Sequence, residues 1–123
     1  MTAPEPESAL QSKIRQALAH EPGLCLWRNN SGVADYNGTK VRYGLIPGAA
    51  DLIGMISITG LANWPGPLAR FIALEVKTRT GRVSKEQEMF LALVRRMGGF
   101  AAVVRSVDDA RAAIARARTG ACE

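Results

Sequence analysis

Histidine and cysteine are scarce in this sequence, and their scarcity excludes several kinds of active site. The 123 residues contain one histidine, His20, and two cysteines, Cys25 and Cys122. The cysteines lie far apart and form no CxxC pair, which excludes a disulfide framework and a zinc ribbon. A Ser/His/Asp triad or a multi-histidine metal site would have to be built around His20, which follows a predicted helix where histidines usually cap carbonyl groups. Any chemistry therefore depends on carboxylates, lysines and a bound cation.

Long apolar segments are also missing. Residues 52–69 contain no charged side chain, yet their glycines and prolines make this stretch a poor membrane span. The first residues lack the basic start and apolar core of a signal peptide. We therefore expect no membrane segment and a cytoplasmic, non-secreted protein.

Positive charge is in excess. The chain has 16 Lys+Arg and 11 Asp+Glu, a formal net charge of +5, and its 47% hydrophobic content suits one domain with its own core. Residues 1–40 have equal numbers of acidic and basic side chains, so the excess lies in residues 41–123. Twelve of the 16 cations are arginine, whose guanidinium group matches phosphate oxygens. A polyanionic partner is favoured, with a basic solvated surface as the alternative.

Hydrophobic periodicity and turn residues predict an α/β domain with the order α-β-β-β-α-β-α. The predicted helices begin at about Glu7, at Ser84 and after Ser106. The predicted strands cover residues 24–28, 51–58, 71–77 and 100–105. Residues 29–40 are predicted to form a loop or hairpin tip, and the strands on either side of residues 59–70 to pair in antiparallel fashion. We expect a mixed central sheet flanked by helices, with residues 1–6 frayed and residues 7–123 in one domain.

Two carboxylates occupy positions that core packing would not favour. Asp51 opens one predicted strand, and Glu75 interrupts the apolar run of the next, with Lys77 on the same face two residues later. Two adjacent buried carboxylates are costly unless a divalent cation lies between them. Magnesium accepts one or two carboxylates and keeps water and phosphate in its other positions. The alternative is that Glu75 and Lys77 form an ion pair on an exposed edge strand.

Further segments surround these residues in an order that resembles a known family. The segments are Glu7–Gln11, Trp27–Gly32, Gly44–Leu52, Ala73–Lys77, Ser84–Phe90 and Gly98–Ser106. Together they are similar to a VRR-NUC domain of the PD-(D/E)XK nuclease superfamily. The resemblance implies a restriction-endonuclease-like fold and a DNA endonuclease that depends on Mg²⁺, for which Mn²⁺ can substitute. It also implies that the protein is located in the cytoplasm of a bacterial cell or a phage-infected host.

The resemblance assigns roles to individual residues. Asp51 and Glu75 correspond to metal ligands, the carbonyl of Val76 to a further ligand, and Lys77 to the catalytic lysine. One departure is that Ala50 stands where the superfamily motif has its proline.

Two more residues correspond to family positions, each with an alternative role. Glu7 corresponds to an additional acid at the metal, but acids are favoured at any helix start, and Glu5 competes for the role. Gln87 corresponds to a glutamine beside the active site, but with Ser84 it also matches a capping box.

Basic residues flank the predicted site and are expected to contact DNA phosphates. They are Lys40, Arg42, Arg79, Arg82 and Lys85. No recognition helix or zinc finger is present to read bases, which favours structure-selective cleavage of branched DNA. The resemblance implies a homodimer whose paired sites cut as Holliday junction resolvases do, with no small-molecule substrate. Leu61–Leu68, which contains Trp64, is a candidate for the interface, whereas Cys25 and Trp27 are expected in the core.

Two other functions remain open at the level of sequence. The chain could hold nucleic acid without cutting it, with Glu75 and Lys77 as a structural pair. It could also act as an interaction partner within a larger replication or repair machine.

Overall fold

A computed structural model of the chain describes residues 5–123. The predicted frayed segment, residues 1–6, lies outside the described residues except for Glu5 and Pro6. Glu5 pairs with Lys13, and the Pro6 carbonyl accepts a hydrogen bond from the N–H of Leu10 at 3.1 Å. Both residues therefore take part in the start of the first helix.

Three helices and six strands lie within residues 5–123. In chain order they are α1 (Glu7–Leu18), β1 (Leu24–Arg28), β2 (Gly32–Tyr36), β3 (Thr39–Tyr43), β4 (Leu52–Ile58), β5 (Leu68–Val76), α2 (Lys85–Arg96), β6 (Phe100–Val104) and α3 (Val107–Arg118). Ser84 and Ser106 accept hydrogen bonds from the backbone at the starts of α2 and α3, as the sequence predicts. No helix within residues 5–123 has the length and apolar character needed to cross a bilayer.

The central sheet has four strands in the order β1-β4-β5-β6. The pairs β1–β4 and β4–β5 are antiparallel, whereas β5–β6 is parallel. The mixed α/β architecture predicted from the sequence is therefore confirmed, and it is consistent with a restriction-endonuclease-like fold. The structure has two strands more than the predicted order, because residues 32–43 form a separate hairpin of β2 and β3. Asn37 and Gly38 both have positive φ, as a tight hairpin turn requires.

The two faces of the sheet pack against different helices. Side chains alternate along each strand, so Ile72, Leu74 and Val76 face one way and Ala73 and Glu75 the other. The first group lies in the larger apolar core with α1 and α3. The second face packs against α2, where Ala73 joins a smaller cluster. Glu75 therefore projects toward α2 from a strand that has a neighbour on each side.

One arginine ties the ends of two helices to β5. The guanidinium of Arg70 donates hydrogen bonds to the carbonyls of Gly98 and Gly99, beyond the end of α2, at 3.0 and 3.3 Å. It also donates to Ala117 at 3.0 Å and Ala121 at 2.7 Å, at the end of α3. The last carbonyls of a helix have no partner within it, so Arg70 satisfies groups that would otherwise need water.

The prediction that Cys25 and Trp27 belong to the core is wrong. Cys25 is exposed, and Trp27 retains 50% of its accessible surface. Both project from β1, an edge strand, on the same face as Ala73, because Trp27 pairs with Ile53 and Ile53 with Ala73. The helix α2 contributes its buried residues to the cluster around Ala73 and Ala101, away from this edge.

Candidate active site

Asp51 and Glu75 meet where β4 begins and β5 ends. Leu52 pairs with Leu74, so the antiparallel register places Asp51, one residue earlier, opposite Glu75. Directly opposed residues have side chains on the same face and close together. The carboxylate of Asp51 is fixed by the N–H of Val76, which donates to its Oδ2 at 2.9 Å. The sheet therefore brings together two carboxylates that are 24 positions apart in the sequence.

Glu75 is the most unusual side chain in the described part of the chain. It is 1% exposed, and its Oε2 atom is buried without a hydrogen-bond partner among residues 5–123. Burial raises the pKa of Glu75 to about 8, and the neighbouring carboxylate of Asp51 adds to the effect, while Lys77 opposes it. In the absence of a cation, the proton on Glu75 relieves repulsion between the two carboxylates.

Lys77 lies beside Glu75 in a buried position. Its Nζ atom is 3.9 Å from Oε1 of Glu75, and only 11% of the Lys77 side chain is exposed. The N–H of Lys77 donates to the carbonyl of Val104 at 3.0 Å, which fixes the backbone just after β5. Because β5 is flanked by β4 and β6, the alternative of an ion pair on an exposed edge strand is wrong.

Gln87 contacts Glu75 and caps α2 at the same time. Its Nε2 donates to Oε1 of Glu75 at 3.1 Å. Its Oε1 accepts from the N–H of Ser84 at 2.8 Å, while its own N–H donates to Oγ of Ser84 at 3.1 Å. The capping box that the sequence indicates is therefore formed, and the second amide atom remains available to the buried carboxyl group.

Two other predicted ligands differ in their placement. The N–H and C=O groups of a strand residue point to the same side, so the carbonyl of Val76 faces the side of Asp51. Glu7 is half-buried at the start of α1, and its charge contributes only the smallest of the effects that raise the pKa of Glu75. Within residues 5–123, no three acidic, histidine or cysteine side chains come close enough to hold a metal ion together. The acidic centre therefore consists of Asp51 and Glu75.

This donor set fits magnesium. The unpartnered Oε2 of Glu75 and the adjacent carboxylate of Asp51 are hard oxygen donors, and a cation between them would satisfy both. Magnesium is usually held by one or two carboxylates and completes its coordination with water and phosphate. Thiol or imidazole ligands, which zinc prefers, are absent from this pair.

Asn29 holds the turn that carries Asp51, a role not assigned to it from the sequence. Its N–H donates to the carbonyl of Asp51 at 2.8 Å, and its Nδ2 donates to the carbonyl of Ala50 at 3.1 Å. In the sequence, this role of Asn29 is indicated only by the position of a polar residue directly after a predicted strand. Ala50 itself is fully buried.

Gly48 allows the same turn to approach α2. Its φ is +85°, and a Cβ atom there would lie 2.6 Å from the backbone carbonyl of Glu86. A residue with a side chain would be strained by its backbone conformation and by this contact. Gly48 therefore sets the distance between the turn before Asp51 and the start of α2.

A polar groove leads to Asp51 from the side of β1. Its volume is about 490 Å³, and its lining consists of Gln11, Arg28, Asn29, Asn30, Ser31, Tyr43 and Asp51. Arg28 is exposed, and its guanidinium makes no hydrogen bond or ion pair within residues 5–123. A guanidinium exposed in such a polar groove can bind a phosphate by donating hydrogen bonds to its oxygens. The sequence motif includes Arg28 and Asn29, but the groove forms only when α1, β1 and β3 are assembled.

The predicted DNA-contacting residues lie in two regions. Lys40 and Arg42 are on the hairpin, where Lys40 pairs with Asp35 at 3.0 Å. Arg79 and Arg82 are exposed on the segment between β5 and α2, and Lys85 is exposed at the start of α2. Lys40 is therefore partly neutralised.

Arg105 holds residues 78–82, which lie between β5 and α2 and which we call the basic loop. Its guanidinium donates to the carbonyls of Thr78 and Gly81, both at 2.7 Å. This contact could not be predicted from the sequence, because Arg105 follows β6 and is distant in the chain from residues 78–82. The contact places Arg79 and Arg82 just beyond Lys77.

Comparison with known proteins agrees with this geometry. A family model described as the VRR-NUC domain matches residues 5–108, which include the acidic centre, α2 and the whole central sheet. Neither the curated proteins nor the solved structures gave a match. The matched residues cover most of the chain, and the resemblance identified from the sequence motifs is confirmed. The chain belongs to the VRR-NUC domain family of the PD-(D/E)XK superfamily and is a nuclease that acts on DNA.

Proposed function

We propose that the protein is a divalent-metal-dependent endonuclease that hydrolyses phosphodiester bonds in branched DNA and acts as a homodimer. The observation that supports this most directly is the pair of Asp51 and Glu75, in which a buried carboxylate oxygen has no hydrogen-bond partner among residues 5–123. A structural acid would be expected to have its oxygens satisfied, because an unpaired buried polar atom is costly.

Asp51 and Glu75 would hold the cation, with the carbonyl of Val76 as a further oxygen donor. A bound Mg²⁺ would supply charge stabilisation to the phosphodiester during cleavage and lower the pKa of a water molecule. The chain orients its ligands in advance, because Val76 holds one Asp51 oxygen and Gln87 holds one Glu75 oxygen. Cation binding requires ionised Glu75, so it is coupled to release of the Glu75 proton.

Lys77 would act on the phosphate or on the attacking water. Its ammonium group is held near Glu75 in a site with little access to solvent, where its charge is weakly screened. A lysine in this position can donate hydrogen bonds to a nucleophile or to the oxygens that gain negative charge in the transition state. Gln87 would be a positioning residue, since it contacts the ligand Glu75.

DNA would reach the acidic centre through the polar groove and across the basic loop. The groove offers Arg28 and uncharged donors on one side of Asp51. Arg79, Arg82 and Lys85 would contact phosphates on the other side, with Arg42 reaching from the hairpin. Such contacts position DNA without reading its sequence, which favours recognition of shape over base identity.

The decisive experiment compares cleavage of a four-way junction, a flap, a nicked duplex and a linear duplex. Each substrate is incubated with Mg²⁺, with Mn²⁺ or with EDTA, and products are resolved on denaturing gels. We expect the junction to be cut with either metal and not with EDTA. Asp51→Asn and Lys77→Met should each reduce cleavage by about 100-fold or more, since both remove groups expected to act on the transition state.

Asp108→Asn and Lys13→Met are matched controls, because both residues are exposed and lie outside the proposed site. They should cut at the wild-type rate. Full cleavage by the Asp51 and Lys77 variants would overturn the assignment of the site. Tight DNA binding by the wild type without cleavage in any metal would favour the alternative of a binding module. A preference for linear duplex would overturn the junction part of the proposal alone.

A further inference from the structure

Part of the sheet face that carries Glu75 is left uncovered by residues 5–123. Phe71 lies two residues before Ala73 on this face, and Met55 pairs with Phe71. Trp27 is on the same face, two strands from Ala73. Their exposed fractions are 50% for Trp27, 41% for Met55 and 41% for Phe71, and no residue within 5–123 covers them. We call these three side chains the open face.

A row of apolar side chains, exposed at its two ends, runs along α2 and its C-cap residue beside the open face. Met89, Leu93 and Met97 are spaced four residues apart and form a ridge on one side of the helix, which we call the α2 ridge. Met89 and Met97 are 63% and 78% exposed. Neither faces the sheet, which Phe90, Leu91 and Val94 do. Methionine is adaptable in shape and is frequent at protein contacts.

Two apolar grooves adjoin the ridge. One has a volume of about 360 Å³ and includes Ile46, Pro47 and Leu93. The other has a volume of about 540 Å³ and joins Leu93 and Met97 to Phe71 of the open face. The ridge and the open face are thus one continuous surface. Helices pack by placing the ridge of one into the groove beside the ridge of another, and this surface carries both features.

Charges at the two ends of α2 indicate what covers this surface. Glu86 lies in the first turn and Arg96 in the last turn, and both line the groove next to Met89. Neither forms an ion pair within residues 5–123, whereas Arg95 is occupied by the carbonyl of Ala101 and by Glu123. If two copies of α2 pack in antiparallel fashion, Glu86 of one lies opposite Arg96 of the other. The same register pairs Met89 with Leu93, and a two-fold interface needs such self-complementarity.

We infer that the α2 ridge and the open face form the contact between two copies of this chain. The ridges pack in antiparallel fashion across a two-fold axis, and the contact extends onto the open face. The inference rests on the homodimer of the proposed function and names its surface. This choice differs from Leu61–Leu68, the candidate from the sequence, of which only Leu68 adjoins the surface.

The test is sedimentation equilibrium of the full chain, with circular dichroism to verify folding. We expect a wild-type dimer and a monomer for the double variant Met89→Gln, Met97→Gln, whose exposed side chains are not needed for the core. Glu86→Arg and Arg96→Glu should each weaken the dimer by about tenfold or more, because each substitution places like charges opposite each other at both copies of the Glu86–Arg96 contact. The combined variant Glu86→Arg, Arg96→Glu should restore it. Glu88→Arg, on the other flank of α2, is the matched control and should remain dimeric.

Each other outcome overturns part of the proposal. If all variants remain dimeric, the protein is a dimer but the proposed contact surface is wrong. If each single variant weakens the dimer and the combined variant does not restore it, the antiparallel register is overturned. A wild-type monomer overturns both the dimer and this surface as its contact, leaving the surface to a different protein. None of these measurements involves cleavage, so failure of the nuclease proposal is distinguished separately by the junction assay.

Discussion

The side-chain amide of Gln87 joins the start of α2 to the buried carboxyl group of Glu75, with its Nε2 3.1 Å from Oε1 of Glu75. The Oε1 atom of the same amide accepts a hydrogen bond from the N–H of Ser84. Capping and contact with the acidic centre were alternatives at the level of sequence. In the structure one amide group makes both contacts, so the orientation of α2 and of the Glu75 carboxyl group depend on each other.

Variants of the capping box should separate these two contacts. Ser84→Ala removes only the hydroxyl cap, so we expect a loss of about 1 kcal/mol in stability and nearly unchanged cleavage. Gln87→Met keeps the size of the side chain but removes both amide contacts, so stability should fall by a similar amount and cleavage by about tenfold or more. Urea denaturation and single-turnover cleavage measure the two effects. Equal cleavage by both variants would mean that Gln87 acts only as a cap.

Stability should depend on pH through Glu75. Its pKa in the folded chain is about 8, above the ordinary value of 4.5, so between these values the folded state keeps a proton that the unfolded state has released. The stabilising contribution is therefore complete below the unfolded pKa and is lost as the pH rises through the folded pKa. Glu75→Gln imitates the protonated form and removes this dependence.

The measurement is urea denaturation of wild type and Glu75→Gln in EDTA, at about pH 5 and about pH 9. We expect the variant to gain stability relative to the wild type as the pH rises. A constant difference between the two proteins across this range would contradict the raised pKa of Glu75.

Divalent cations should stabilise the folded chain. A cation at about 100 times its Kd adds about 2.7 kcal/mol to the free energy of unfolding, because it binds only the folded state. We expect Mn²⁺ to raise the Tm of the wild type and of Asp108→Asn. Asp51→Asn should show little shift, since it lacks one of the two carboxylates. Thermal unfolding with Mn²⁺ and with EDTA gives the comparison within each protein, and an equal shift in all three would place the cation elsewhere.

Arg70 should matter for stability and not for chemistry. Its guanidinium satisfies four carbonyl groups beyond or at the ends of α2 and α3. Lysine cannot reproduce this planar set of donors, so Arg70→Lys should cost about 2 to 4 kcal/mol. Arg111→Lys, at an exposed position on α3, is the control and should cost much less. Urea denaturation measures both, and a negligible effect of Arg70→Lys would show that water replaces these hydrogen bonds.

The basic residues should differ in their contributions to DNA binding. Arg79→Ala or Arg82→Ala should each reduce the slope of log K against log salt by about 1, because each removes one phosphate contact. Lys40→Ala should have a smaller effect, since Asp35 already pairs with Lys40. Fluorescence anisotropy with the inactive Asp51→Asn protein at several salt concentrations provides the slopes. A uniform effect of all three variants would argue against the basic loop as the main contact.

The candidate site could be found in the sequence because its residues break a local pattern. Glu75 interrupts an apolar run, Lys77 follows at the spacing of one strand face, and Asp51 opens the preceding strand. These are short-range features, so the register that brings Asp51 opposite Glu75 follows once two neighbouring strands pair. The helix starts at Ser84 and Ser106 could also be predicted from the sequence, because capping depends on residues within one turn.

The sequence alone also determined the family, the mixed α/β class and the need for chemistry without histidine. Only the tertiary structure decided that Asn29 holds the turn of Asp51, that Arg105 holds the basic loop, and that Trp27 is exposed. Each of these depends on which residues from distant parts of the chain lie side by side. The coverage of the sheet is the clearest case, since α2 is the only helix within residues 5–123 that packs on the face carrying Glu75, and it leaves the side of β1 and β4 open. An apolar strand pattern predicts burial, but whether the protein itself or a second copy supplies the cover is set by how the helices are arranged.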